Sequence, residues 1–126
     1  MKEIKSIVDD IGIEAFESNT NIAALAVVSD DGKLIYQTKN WDVANDLQSI
    51  LDAVKGEKTI ILSQSEYDII ETHPNGLIGK NSAGKGYIFI LFFEGGILLS
   101  YALPQANPSV CFSFLSSKVE SLNGKI

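Results

Sequence analysis

Apolar residues recur along the chain in two rhythms, and the rhythms divide it into elements. In "KEIKSIVDDIGIEAF", Ile4, Ile7, Val8, Ile11 and Ala15 fall at helical spacing and predict an amphipathic first helix. "NIAALAVVSDDGKLIYQT" predicts two strands around Asp31-Gly32, a dipeptide suited to a tight hairpin turn. The first of these strands is apolar on both faces, so it is expected inside a sheet covered on both sides.

"WDVANDLQSILDAVKGE" returns to the helical rhythm. Asp42 is the expected N-cap, Val43, Leu47, Ile50, Leu51 and Val54 form the apolar stripe, and Gly56 ends the helix. Five strand-like runs follow: "KTIILSQ", "EYDIIETH", "GLIG" after the turn Pro74-Asn75-Gly76, then "YIFILFF" and "GILLSYAL" around Glu94-Gly95-Gly96. "NPSVCFSFLSSKVESL" predicts a last helix with Asn107 as N-cap and Pro108 at its first position. The order α-ββ-α-βββββ-α, with hairpin-length connections, calls for an α/β fold on an antiparallel sheet.

Composition narrows the function. A chain of 126 residues fits one domain, residues 1-126, that buries roughly two thirds of its unfolded surface. Its net charge of −6 speaks against nucleic acid, which needs a basic face. Cys111 is the only cysteine, so neither an internal disulfide nor a cysteine-built metal cluster is expected. The N-terminus carries acids where a signal peptide needs an apolar run, and no stretch has the length of a membrane span. A cytoplasmic protein is the expectation.

"GKNSAGKG", residues 79–86, is most of a phosphate-binding loop, but Gly86 stands where the magnesium-binding Ser or Thr belongs. A strand follows it, whereas phosphate binding uses a helix N-terminus. The motif therefore reads as a glycine-rich hairpin loop, and no nucleotide or other cofactor is expected. Catalysis is not expected either. His73 is the lone histidine and reads as a solvated loop residue, Cys111 falls on an apolar helix face, and the acids are scattered.

The stretch "YDIIETHPNGLIGKNSAGKGYIFILFFEGGILLSYA" resembles the second half of a profilin. The likeness continues through "PQANPSVCFSFLSSKVESL" and, upstream, "NIAALAVVSDDGKLIYQTKNWD", so it covers nearly the whole chain. The divergent profilins of Asgard archaea are the nearest likeness. The resemblance implies a profilin-like sandwich, with the terminal helices on one face of the sheet and the middle helix on the other. It implies a monomer that binds monomeric actin or an actin-like protein and regulates filament assembly without catalysis, and it leaves phosphoinositide lipid as a further candidate partner. Profilins bind poly-proline with a tryptophan in the first helix and a tyrosine in the last. Here those helices offer Phe16, Phe112 and Phe114, which leaves poly-proline binding unsupported. The rival resemblance is to the roadblock family, dimeric scaffolds for small GTPases. "IAALAVVSDDGKLI" and "ALPQANPSV" fit it comparably, but "HPNGLIGKNSAGKG" is longer than its turn.

Carried onto this chain, the profilin actin site comprises Ala106, Asn107, Ser109, Phe112, Ser113, Ser116 and Ser117, with Asp68, Glu71, Lys80, Lys85, Tyr87 and Phe89 from the strands. Glu71 falls where many profilins carry a basic residue. At about 100° per residue, Cys111, Phe114, Leu115 and Leu122 share the buried side of the last helix. Phe112 stands roughly 100° away among Ser109, Ser113 and Ser116, which predicts a contact residue.

Overall fold

The computed structural model describes residues 3–126. The chain runs α1 (Ile4–Glu17), β1 (Ile22–Ser29), β2 (Leu34–Gln37), α2 (Leu47–Val54), β3 (Thr59–Leu62), β4 (Ser65–His73), β5 (Gly76–Asn81), β6 (Tyr87–Phe93), β7 (Gly96–Ala102) and α3 (Pro108–Lys118). A short 3₁₀ turn, Val119–Leu122, extends α3. All seven strands join one antiparallel sheet in the order β2-β1-β7-β6-β5-β4-β3. β1, apolar from Ile22 to Val28, lies inside the sheet between β2 and β7, as its composition requires.

Alternation along the strands feeds two cores. Leu25, Val27, Ile78, Phe89, Leu91 and Leu98 point to one face, where Ile7, Val8 and Ile11 of α1 and Cys111 and Leu115 of α3 cover them. Val28, Ile60, Leu62, Ile88, Ile90 and Leu99 point to the other, against Ile50 and Ala53 of α2. The terminal helices thus share one face and α2 holds the opposite one.

Two local readings are corrected. The middle helix starts at Leu47, not Asp42. Asp42 instead accepts a hydrogen bond from the Ala44 amide at 3.2 Å, and Val43, wholly buried, donates its amide to Gln37 Oε1 at 3.0 Å. Such short polar side chains bond the backbone locally and compete with helix. The stripe narrows accordingly, and Val54 is exposed. In addition, Ser63-Gln64 forms the β3–β4 turn with φ of 48° and 69°, a left-handed pair that no glycine announced. The Ser63 amide donates to Asp46 Oδ2 at 2.9 Å and its hydroxyl to the Asp42 carbonyl at 2.7 Å. These bonds tie the turn to the α2 approach and offset its backbone cost.

Candidate functional site

The face under the terminal helices is only partly covered. In register, Asp68, Lys80 and Tyr87 form one cross-strand row, Glu71, Ile78 and Phe89 the next, and His73, Gly76 and Leu91 a third. Each row is polar toward β4, exposed at Asp68 and Glu71 and half-buried at His73, and becomes aromatic or apolar and more buried toward β6. A bulge between Ile69 and Glu71 returns Glu71 and His73 to the side that Asp68 faces. Without it, strict alternation would present Ile70 and Thr72 there.

The start of α3 borders this open ground. Asn107 caps the helix, its side chain accepting from the amides of Ser109 at 3.0 Å and Val110 at 3.2 Å. From the β4–β5 turn, Asn75 donates to the Ser116 hydroxyl at 3.1 Å. His73 is not a solvated loop residue: it ends β4, bonds Glu71 Oε1 at 3.0 Å, and lays its ring 4.7 Å from that of Phe112. Phe112 in turn fills the space above Gly76, where an added Cβ would lie 2.2 Å from the Ile90 carbonyl and 3.0 Å from Phe112 Cε1. Phe112 is therefore only 9% exposed, a member of the core edge and not the open contact expected of it.

Other expected residues also separate. Asp68, Glu71, Lys80, Asn107, Ser109 and Ser113 are exposed around the site, with Tyr87 and Ser116 half-buried. Phe89 is completely buried and Ala106 nearly so, because the helix start closes over β6. Lys85 lies on the opposite side of the sheet, lining a cleft with Trp41 and Tyr101. Ser117 lines the groove between α1 and α3. One exposed apolar residue beside these positions was not expected: Val110, 52% exposed among the serines at the start of α3. Its signal was available, since a valine outside the buried stripe has nothing of the sheet to cover.

The glycine-rich loop holds no vacant anion cradle at these amides. Those of Ala83 and Lys85 donate to Asn81 Oδ1 at 2.9 and 3.2 Å, and that of Gly84 to the Asn81 carbonyl at 3.0 Å. Gly84 and Gly86 have φ of +76° and +127°, as a hairpin loop of this shape needs.

The groove between the terminal helices, about 280 Å³, is lined by Ile7, Asp10, Ile11, Glu14, Ser117, Lys118 and Ser121. An ion pair between Lys118 and Glu14 crosses it, and no aromatic ring among the described residues lines it. No helix among the described residues is long and apolar enough to cross a membrane.

Sequence and fold both match profilins. Loki profilin-2 of Lokiarchaeum sp. is 30% identical over 118 residues, 85% of each chain. Thor profilin of a Thorarchaeota archaeon is 27% identical over 122 residues, 93% of this chain and 95% of that one. The chain belongs to the profilin family. Loki profilin-2 in complex with rabbit actin superposes with a TM-score of 0.86 over 100% of both chains, at 29% identity. Profilin of Schizosaccharomyces pombe shares the fold, with a TM-score of 0.71, 18% identity, and coverage of 84% of this chain and 88% of that one. No protein-family model matches the chain. Nothing in these relatives favours the roadblock reading.

Proposed function

We propose that this protein binds monomeric actin, or an actin-like protein, and so regulates filament assembly by stoichiometric binding, without catalysis. The observation that carries the reading is the full-length likeness to a profilin that is itself in complex with actin. The contact face is the start of α3 with the open ends of the sheet rows: Asp68, Glu71, Lys80 and Tyr87 beside Asn107, Ser109, Val110, Ser113 and Ser116. Phe112, Phe89 and Ala106 act from beneath, holding that surface in shape. Asp68 and Glu71 beside Lys80 give the face mixed charge. That balance suits a protein surface better than the anionic headgroup of a phosphoinositide. On this reading the whole chain works in the cytoplasm as a monomer.

Sedimentation velocity tests it. The protein alone should run as a monomer and co-migrate with monomeric actin when mixed. A stable self-dimer indifferent to actin would refute the proposal and revive a scaffold role.

A further inference from the structure

On the sheet face away from the terminal helices lies a cleft of about 400 Å³, with Ala23, Ala24, Trp41, Tyr67, Tyr101 and Leu103 forming its apolar wall. The rings of Trp41 and Tyr101 have centroids 6.5 Å apart and planes inclined at 40°, so they make an open wedge and not a closed stack. Tyr101 is fixed in place: its hydroxyl donates to the Lys85 carbonyl at 2.5 Å. Tyr67 is 5% exposed and gives the wedge a buried wall. Trp41 is half-buried, and its indole N–H has no hydrogen-bond partner among the described residues. Three aromatic side chains therefore converge on open space with one donor unspent, which is the composition of a binding cleft.

A second depression, of about 350 Å³, adjoins the first and shares Ser63 with it. Asp42, Asn45, Asp46 and Gln64 complete its lining. The two Ser63 hydrogen bonds to Asp46 and Asp42 hold the shared wall still, so the apolar wedge and the carboxylates keep a fixed separation. Each carboxylate spends one oxygen on a backbone amide, Asp42 on Ala44 and Asp46 on Ser63, and retains further lone pairs. Lys85 lines the wedge but not the second depression.

This arrangement selects a ligand by charge and shape. An anionic ligand would meet Asp42 and Asp46 on a chain of net charge −6. A small apolar ligand would fill the wedge and leave the carboxylates unanswered. An extended peptide answers both, with a bulky apolar side chain in the wedge and a neighbouring cation over the carboxylates. Arginine suits the second position better than lysine, because its planar fork pairs carboxylates and also stacks on an indole. Lys85 repels a cation and so sets the direction in which the segment lies.

We propose that this cleft docks an extended segment of a partner protein, with an apolar side chain between Trp41 and Tyr101 and an adjacent arginine on Asp42 and Asp46. The site lies across the sheet from the α3 face, so occupation of one leaves the other free. It does not depend on the actin reading.

Trp41 is the only tryptophan, so intrinsic fluorescence reports the cleft directly. The probe is an acetylated and amidated hexapeptide of alternating leucine and arginine, and its control replaces each arginine with glutamate. The arginine peptide should shift Trp41 emission saturably, and the glutamate peptide should bind at least about tenfold more weakly. Asp42→Asn with Asp46→Asn keeps the oxygens that accept from Ala44 and Ser63 but removes both charges, and should weaken binding about tenfold. Lys85→Glu, at an exposed position that leaves the α2 approach intact, should strengthen it. Emission unmoved by the arginine peptide, equal responses to the two peptides, or Lys85→Glu without effect would each overturn the proposal. Actin co-sedimentation with the peptide present should be unchanged, and competition between the two would overturn the separation of the sites.

Discussion

Phe112 and Leu115 lie three positions apart on α3, and both now count as core. Leu115 is wholly buried, so Leu115→Ala should cost about 2–5 kcal/mol in a denaturant melt. Phe112→Ala should also cost about 3 kcal/mol, because it removes the ring that packs on His73 and over Gly76. On the proposed actin reading, the exposed Val110 takes the place of Phe112 as the apolar contact. Val110→Asp should leave the melt almost unmoved yet weaken actin binding by on the order of 1–2 kcal/mol, and undiminished co-sedimentation would remove it from the interface. Cys111 gives a second test at this scale. Its Sγ donates to the Thr20 carbonyl at 3.2 Å, and burial pushes the thiol up to about 11 from 9.0. Burial likewise pushes Tyr67 up to about 12 from 10.0. Both groups stay neutral in the fold while the unfolded chain ionises first. Their stabilising contribution is therefore complete below about pH 9 and lost as the pH climbs toward 11 and 12. Denaturant midpoints should fall over that window, and iodoacetamide should label Cys111 only as fast as the protein unfolds.

At the scale of elements, the end of β5 and the loop after it send their two lysines to opposite faces. Lys80 ends a row on the α3 side, while Lys85 rims the aromatic cleft. Lys80→Glu should therefore weaken actin binding, and Lys85→Glu should not, with little change in thermal stability for either, since exposed charges contribute little to folding. Equal loss in both variants would put the whole loop in the interface. This division was not legible in the chain, where the lysines appear as a pair within one glycine-rich stretch. Other elements were legible for stated reasons. Asn107-Pro108 announced α3 because capping and a fixed φ act within one turn. The start of α2 was misread because Asp42 spends its side chain on the Ala44 amide outside the helix, and Asp46, at the true start, turns its carboxylate to the Ser63 amide and caps nothing.

For the whole molecule, the groove between the terminal helices is where poly-proline binding is tested. Their groove is crossed by the Lys118–Glu14 pair, Phe16 is 82% exposed beyond it, and Phe114 packs beneath the Lys118 ammonium at 5.8 Å. A ten-residue proline peptide at millimolar concentration should leave the amide shifts of α1 and α3 unmoved. Localised shifts on both helices would mean that Phe16 and Phe114 supply the missing aromatic walls. Period and turn chemistry by themselves determined the element order, the antiparallel sheet and the burial of β1 on both faces, although β1 lies next to the edge strand β2 and not at the centre. Resemblance supplied the helix layering, and alternation along the strands explains it by feeding one core on each side. Only the tertiary structure decided which side chains remain open. The β4 bulge returns Glu71 to the site, Gly76 admits Phe112 to the core, β6 passes beneath α3 and hides Phe89, and the loop turns Lys85 away. The first is set by the bulged β4–β5 register and the others by how α3 and the loop pack on the sheet, and neither leaves a local mark on the chain.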